Sequence, residues 1–300
     1  MRRLLLLLSA SATCLCAQPP DPVPVVPIGR IERMGAFPSR FVSARNVDVW
    51  LPPGYDGRLR CAVIYMHDGQ MLFDARITWN KTSWHMPETV SDLMRQGKIP
   101  PTIVVGIWSI GSTRTSEYFP EKALAFVPRE LRDKFVSHDL AGKPRADDYL
   151  RFIVEELKPA IDAKYATMPD TDHTIIMGSS MGGIISLYAI CEYPAVFGRA
   201  GCLSTGWIGT FPKNATFPLA TFNYLQGHLP DPATHRIYFD QGTATIDALF
   251  IESQAFADLV VRDRGYTDQN FLSRVYPGAD HSENSWAKRV DVPLVFLDGI

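Results

Sequence analysis

The chain has no basic run, and its 30 Lys and Arg fall short of its 32 Asp and Glu, for a formal charge of −2. Loss of Arg2 and Arg3 with the leader described below would leave 28 against 32, or −4. That balance offers no electrostatic footprint for nucleic acid or an anionic membrane surface. Cysteine is scarce: of five, Cys14 and Cys16 lie in the first twenty residues, leaving Cys61, Cys191 and Cys202. An odd number without metal-type spacing excludes a disulfide framework and a zinc site. Each lies in an apolar stretch, which reads as a small buried hydrophobe. The N-terminal apolar stretch is too short to cross a bilayer, so no stable membrane insertion is expected. Beyond the leader there is no internal repeat and no low-complexity segment, which rules out a solenoid.

What is present begins with "MRRLLLLLSASATCLCA", residues 1–17. Two arginines, a leucine core and small residues up to Ala17 form the three-part pattern of a signal peptide, and imply a secreted or periplasmic product. Lipidation at Cys14 or Cys16 is not favoured, because neither follows the usual Leu, small, small order. Residues 18–29 are Pro-rich and read as an extended linker. Residues 30–300 remain for one domain, and with a 46% hydrophobic composition they suffice for a sizeable core.

Within that domain, apolar runs bounded by turn residues predict strands at 48–53, 60–69, 101–109, 173–178, 198–205, 235–242 and 271–278. The stretch near 41–51 is placed to add antiparallel edges. Helical periodicity is read at 87–98, 127–136, 146–166, 181–193, 250–266 and 283–300. Strands alternating with helices argue for an α/β fold, a mostly parallel sheet with helices on both faces. Residues 110–146 break the rhythm and are expected to form a lid or a pocket wall.

"GSSMG", residues 178–182, fits the GxSxG pattern and sits where a strand ("TIIM") gives way to a helix. Only Ser180 has glycines at both −2 and +2. A phosphate-binding turn would also be Gly-rich, but neither a Walker lysine nor a GxGxxG accompanies this one.

A serine hydroxyl needs a base, and the base a carboxylate to orient it. His281 follows a strand's C-terminal end, where ligands bind in open α/β sheets, whereas His235 opens a strand and His228 precedes it. For the acid, Asp240 and Asp247 compete. Asp247 is favoured because it lies past the Gly242 turn, while Asp240 is still within the strand and suited to bracing that turn. Oxyanion donors are expected from the N–H of Met181 and that of Gln70 or Gly69, in "HDGQ". His67 and Asp68 there tempt a metal assignment, but no third ligand recurs, and no cofactor is expected. Trp207 and Trp286 are placed to line a substrate site.

Together "YMHDGQMLFD", "VVGIW" followed by "RTSEYFP", "LRFIVEELKPAID", "GSSMGG", "YFDQGTATIDALF" and "YPGADHSENSW" resemble the putative-esterase (esterase D-like) family of α/β hydrolases, over about residues 45–299. The resemblance implies the α/β-hydrolase fold, Ser180 as nucleophile, His281 as general base and then acid, and an aspartate after the seventh strand as its orienter. Many members place that acid three residues after the turn glycine, where this chain has Thr245. The expected activity is hydrolysis of small-molecule or carbohydrate esters through an acyl-enzyme. An acyltransferase using the same intermediate, or a non-catalytic binding module, is the alternative. Oligomeric state has no sequence signal.

Overall fold

The computed structural model describes residues 21–209 and 213–299, so the leader at 1–17 lies outside the described residues. Eight strands form one sheet in the order β1-β2-β4-β3-β5-β6-β7-β8. They are β1 (Arg30–Phe37), β2 (Arg45–Leu51), β3 (Ala62–His67), β4 (Thr102–Ile107), β5 (Thr174–Ser179), β6 (Arg199–Leu203), β7 (Arg236–Gly242) and β8 (Phe271–Tyr276). β1 and β2 run antiparallel, and every pairing from β4 to β8 is parallel. β3, β4 and β5 are buried along their whole length, which is why they read as unbroken apolar runs rather than alternating ones.

Alternate residues of these strands feed two cores. Val63, Tyr65, Ile103, Val105 and Ile176 face one side; Ile64, Met66, Val104, Ile175 and Met177 face the other. Helices cover both: α1 (Met86–Arg95), α2 (Arg114–Tyr118), α3 (Arg129–His138), α4 (Ala146–Arg151), α5 (Lys158–Lys164), α6 (Met181–Glu192), α7 (Thr216–His228), α8 (Ile251–Asp263), α9 (Glu283–Ala287) and α10 (Asp291–Asp298). α1 and α10 share the second core, through Val90, Leu93, Leu294 and Leu297. α4 and α5 are one continuous helix widened by a π turn at Phe152–Leu157, just before Pro159, which has no N–H to donate.

The differences from the sequence reading have local causes. β1 carries Arg30, Glu32 and Arg33 and lies at the sheet edge, where charge suits an exposed strand but hides its pattern. α7 was obscured by Pro218 and Gly227, although proline is tolerated in a first turn. The C-terminal helical stretch is two helices, α9 and α10. Residues 21–26 have no regular secondary structure but are tied to the domain: the Val25 N–H donates to Asp74 Oδ2 (2.9 Å) and Arg33 donates to the Asp21 carbonyl (2.7 Å). Within 110–146, α2 packs on α4, while Phe119, Leu124, Val127, Phe135 and Leu140 form a small core with Phe217 and Ala220 of α7.

Strand order reverses between β3, whose neighbour β4 leads one way, and β5, from which the sheet runs on to β8. A crevice at such a switch point, at the strands' C-terminal ends, is where open α/β sheets bind ligands.

Candidate active site

The loops flanking that crevice are those after β3 and β5. After β5 the chain turns at once into α6, and Ser180 takes φ 56°, ψ −122°, a conformation that L-residues disfavour. The turn is pinned from β6: the Ser180 N–H donates to the Leu203 carbonyl, and the Gly206 N–H to the Ser180 carbonyl, both 2.9 Å. A Cβ on Gly178 would stand 3.0 Å from the Gly182 carbonyl carbon, so the GxSxG glycines are packed against each other. Met181 opens α6, where the first N–H groups have no acceptor one turn earlier.

Asp247 and His281 arrive from the far side of the sheet. A 3-10 turn at Thr245–Leu249 carries Asp247, and His281 lies between β8 and α9. His281 Nδ1 is 2.5 Å from Asp247 Oδ1. Asp247 Oδ2 accepts from the Gly242 N–H (2.6 Å) and from the Ser204 hydroxyl (2.6 Å). Burial works to raise the Asp247 carboxyl, but the hydrogen bonds from His281 and Ser204, the imidazole charge and the Gly242 N–H hold it below its ordinary value. Thr245, at the position where many family members carry the acid, takes φ 53°, and its hydroxyl oxygen accepts the His281 N–H (3.1 Å).

Asp240 is occupied elsewhere. Fully buried, it takes two bonds from Arg289 (3.0 and 2.8 Å), one from the Tyr238 hydroxyl (3.0 Å) and one from the Ser204 N–H (3.1 Å). Of the two aspartates, Asp247 is the one bonded to His281. His235 Nε2 donates to the Pro194 carbonyl (2.9 Å), and His228 closes α7 instead of lying in a loop.

Ser180, His281 and Gln70 line one cavity of about 380 Å³. The Gln70 side chain is committed to Ser109, donating to its hydroxyl (2.7 Å) and accepting its N–H (3.1 Å), which anchors the loop after β3 to that after β4. The glycine before it permits a close backbone approach: a Cβ on Gly69 would fall 2.3 Å from the Gly106 carbonyl carbon of β4. His67 is buried, with Nδ1 2.8 Å from the Tyr149 hydroxyl, and burial pushes its imidazole down to about 3, keeping it neutral. Asp68 is clasped by Arg114 at 2.7 and 2.8 Å. Both groups are therefore held by protein partners.

The remaining wall is largely aromatic. Trp84 stacks on Trp286 (5.3 Å between ring centres, 27°), and Trp79 stands 83% exposed at the mouth. Trp286 lines the cavity as read from sequence, but Trp207 does not: it is buried, with its indole N–H on Gln254 Oε1 (2.9 Å). Sequence reasoning missed Trp79, Trp84 and Arg114, whose only signal was tryptophan in an irregular segment after β3 and arginine at the start of the short helix after β4. The segment 110–146 contributes Gly111 and Arg114.

A mostly parallel eight-stranded sheet with helices on both faces is the α/β-hydrolase fold, and with the family match given next the class is that of carboxylic ester hydrolases. More particularly, the chain belongs to the family described as putative esterase, whose model matches residues 39–295. Among sequence relatives it is 23% identical over 272 residues to the uncharacterized protein YbbA of Bacillus subtilis, covering 88% of this chain and 97% of that one. It is 27% identical over 190 residues to an endo-1,4-beta-xylanase/feruloyl esterase of Xylanibacter ruminicola, covering 59% of this chain and 22% of that protein. Among solved structures, the enterobactin esterase of Shigella flexneri superposes with a TM-score of 0.66 at 18% identity, covering 92% of this chain and 61% of that one. A ferulic acid esterase gives 0.66 at 17% identity, covering 90% and 98%. At these identities the structural likeness is one of fold.

Proposed function

We propose that the protein is an exported serine esterase that works through a Ser180–His281–Asp247 triad. The observation that carries this reading is the Asp247–His281 hydrogen bond at 2.5 Å beside a cavity shared by His281 and the strained Ser180. His281 takes the Ser180 proton as the hydroxyl attacks the ester carbonyl, then returns it to the departing alcohol. Asp247 fixes the imidazole's orientation and stabilises its charged form. The main-chain N–H groups of Gln70 and Met181 receive the oxyanion, aided by the positive end of α6. Water then hydrolyses the acyl-enzyme by the same proton shuttle.

The aromatic wall of Trp79, Trp84 and Trp286 suits an ester with a flat or ring-shaped group, aromatic acyl or sugar, since such rings bury large apolar area in one contact. Acylated polysaccharides and aromatic trilactone siderophores are the substrate classes this favours, and the leader at 1–17 would deliver the enzyme to them outside the cytoplasm. A fluorophosphonate probe labels the wild type and not Ser180→Ala, and an acetyl, feruloyl and trilactone ester panel ranks the substrates. Undiminished labelling of Ser180→Ala overturns the nucleophile. A mature N-terminus other than Gln18 in the exported fraction overturns the leader.

A further inference from the structure

Behind Asp247 lies a hydroxyl whose hydrogen-bonding options are all taken. Ser204, fully buried and at φ 42°, places Oγ 2.6 Å from Asp247 Oδ2, 2.9 Å from Trp286 Nε1 and 2.9 Å from Arg289 Nη2. A serine hydroxyl has one proton and two lone pairs, whereas indole and guanidinium nitrogens only donate. Trp286 and Arg289 therefore occupy both lone pairs, and the proton has one destination, Asp247 Oδ2. With the Gly242 N–H on the same oxygen, Oδ1 is the atom left to face His281. Arg289 is in turn held by Asp240.

We infer that Ser204 is a positioning residue for the triad: its hydroxyl, locked as a donor by Trp286 and Arg289, keeps the Asp247 carboxylate ionised and turned so that Oδ1 meets His281. The inference rests on the proposed roles of Asp247 and His281. A merely structural Ser204 would contribute to stability and leave the chemistry of the folded enzyme alone. The charged and titratable groups around it are Asp247 and His281 on one side, and Arg289 and Asp240 on the other, with Tyr238 and Tyr276 beyond Asp240.

The test is hydrolysis of p-nitrophenyl acetate, normalised to fluorophosphonate-labelled sites so that only folded enzyme counts. Ser204→Ala is expected to lower kcat roughly 10- to 100-fold with KM within about twofold. It should also move the acid limb of the kcat/KM profile to higher pH, because a carboxylate that loses a donor holds a protonated imidazole more strongly. Trp286→Phe keeps a ring but frees one Ser204 lone pair, and should give the same two changes at about two- to fivefold in kcat. That variant carries the test if Ser204→Ala does not fold. In the double variant the Trp286 change should add nothing further to the limb. An unshifted limb in both single variants, or a loss confined to KM, overturns the inference. Ser180→Ala, which takes no label and is normalised to folded protein by circular dichroism, separates the readings: full activity there overturns the triad itself, whereas loss there with unchanged kcat in Ser204→Ala overturns only the positioning role.

Discussion

The two edges of the sheet are built differently. At the C-terminal edge, each of the four strands β3, β5, β6 and β7 is followed by a non-glycine residue with positive φ: Asp68 (55°), Ser180 (56°), Ser204 (42°) and Thr245 (53°). Among the described residues, none lies at the N-terminal ends of those strands. Each such conformation costs on the order of 1–3 kcal/mol, and it survives only where surrounding bonds over-determine it. Such bonds hold Ser180, Ser204 and Thr245 in place. Buried carboxylates follow the same division. Asp240 is clasped by Arg289 and Asp247 by His281, Ser204 and Gly242, whereas at the opposite edge the side-chain hydrogen-bond partner of Asp298 among the described residues is Thr102 (3.0 Å). The Thr102 hydroxyl has two acceptors within reach, the Pro100 carbonyl (2.8 Å) and Asp298 Oδ2 (3.0 Å), for its one proton, so its support of the carboxylate is shared. Burial, outweighing that hydrogen bond and the charges of His173 and Arg199, pushes Asp298 up to about 7. One edge spends stability on geometry; the other tolerates a carboxyl that need not be charged.

The largest effect that would break this contrast is catalytic. Ser180→Ala should lower ester turnover by about 10⁴-fold or more with the fold intact, as circular dichroism would check; activity near wild type would place the chemistry elsewhere. Next come the two neighbouring aspartates. Asp247→Asn should cost about 10²- to 10⁴-fold in kcat. Asp240→Asn should stay within about tenfold per folded site but lose about 3 kcal/mol in urea unfolding, because Arg289 is left buried without its counter-charge. Reversed outcomes would exchange their roles.

At the other edge the expected effect is on stability alone. Since the folded carboxyl of Asp298 titrates above its ordinary 3.8, its stabilising contribution is complete at low pH and is lost as pH rises through about 7. Asp298→Asn should remove a loss on the order of 1–3 kcal/mol between about pH 5 and 8 and leave kcat unchanged. Parallel stability curves for the two proteins would sink this assignment. The smallest effect isolates backbone strain: Ser180→Gly and Ser180→Ala both lack the hydroxyl, and the glycine variant should be more stable by about 1 kcal/mol. Equal melting temperatures would mean the turn is not strained at that residue.

Much of the fold was legible because parallel strands buried on both faces must be apolar throughout, and β3, β4 and β5 stand out for that reason. β1 was not, since a charged edge strand has no such pattern, and α7 was hidden by residues that break helices elsewhere. In the candidate site, Ser180 was singled out by glycines that the turn needs sterically and His281 by its place after a strand, and the two line one cavity. Trp79 and Trp84 belong to loops, and Arg114 to the one-turn helix α2, whose paths no periodicity encodes.

By itself, then, the sequence determined the sheet, its layering and the turn that exposes Ser180, because burial period and steric demand act locally along the chain. Only the tertiary structure pairs His281 with Asp247 rather than with Asp240, seven residues away on the same strand and loop. That pairing depends on residues remote in sequence: Arg289 clasps Asp240, while the Ser204 hydroxyl holds one oxygen of Asp247 and the other meets His281.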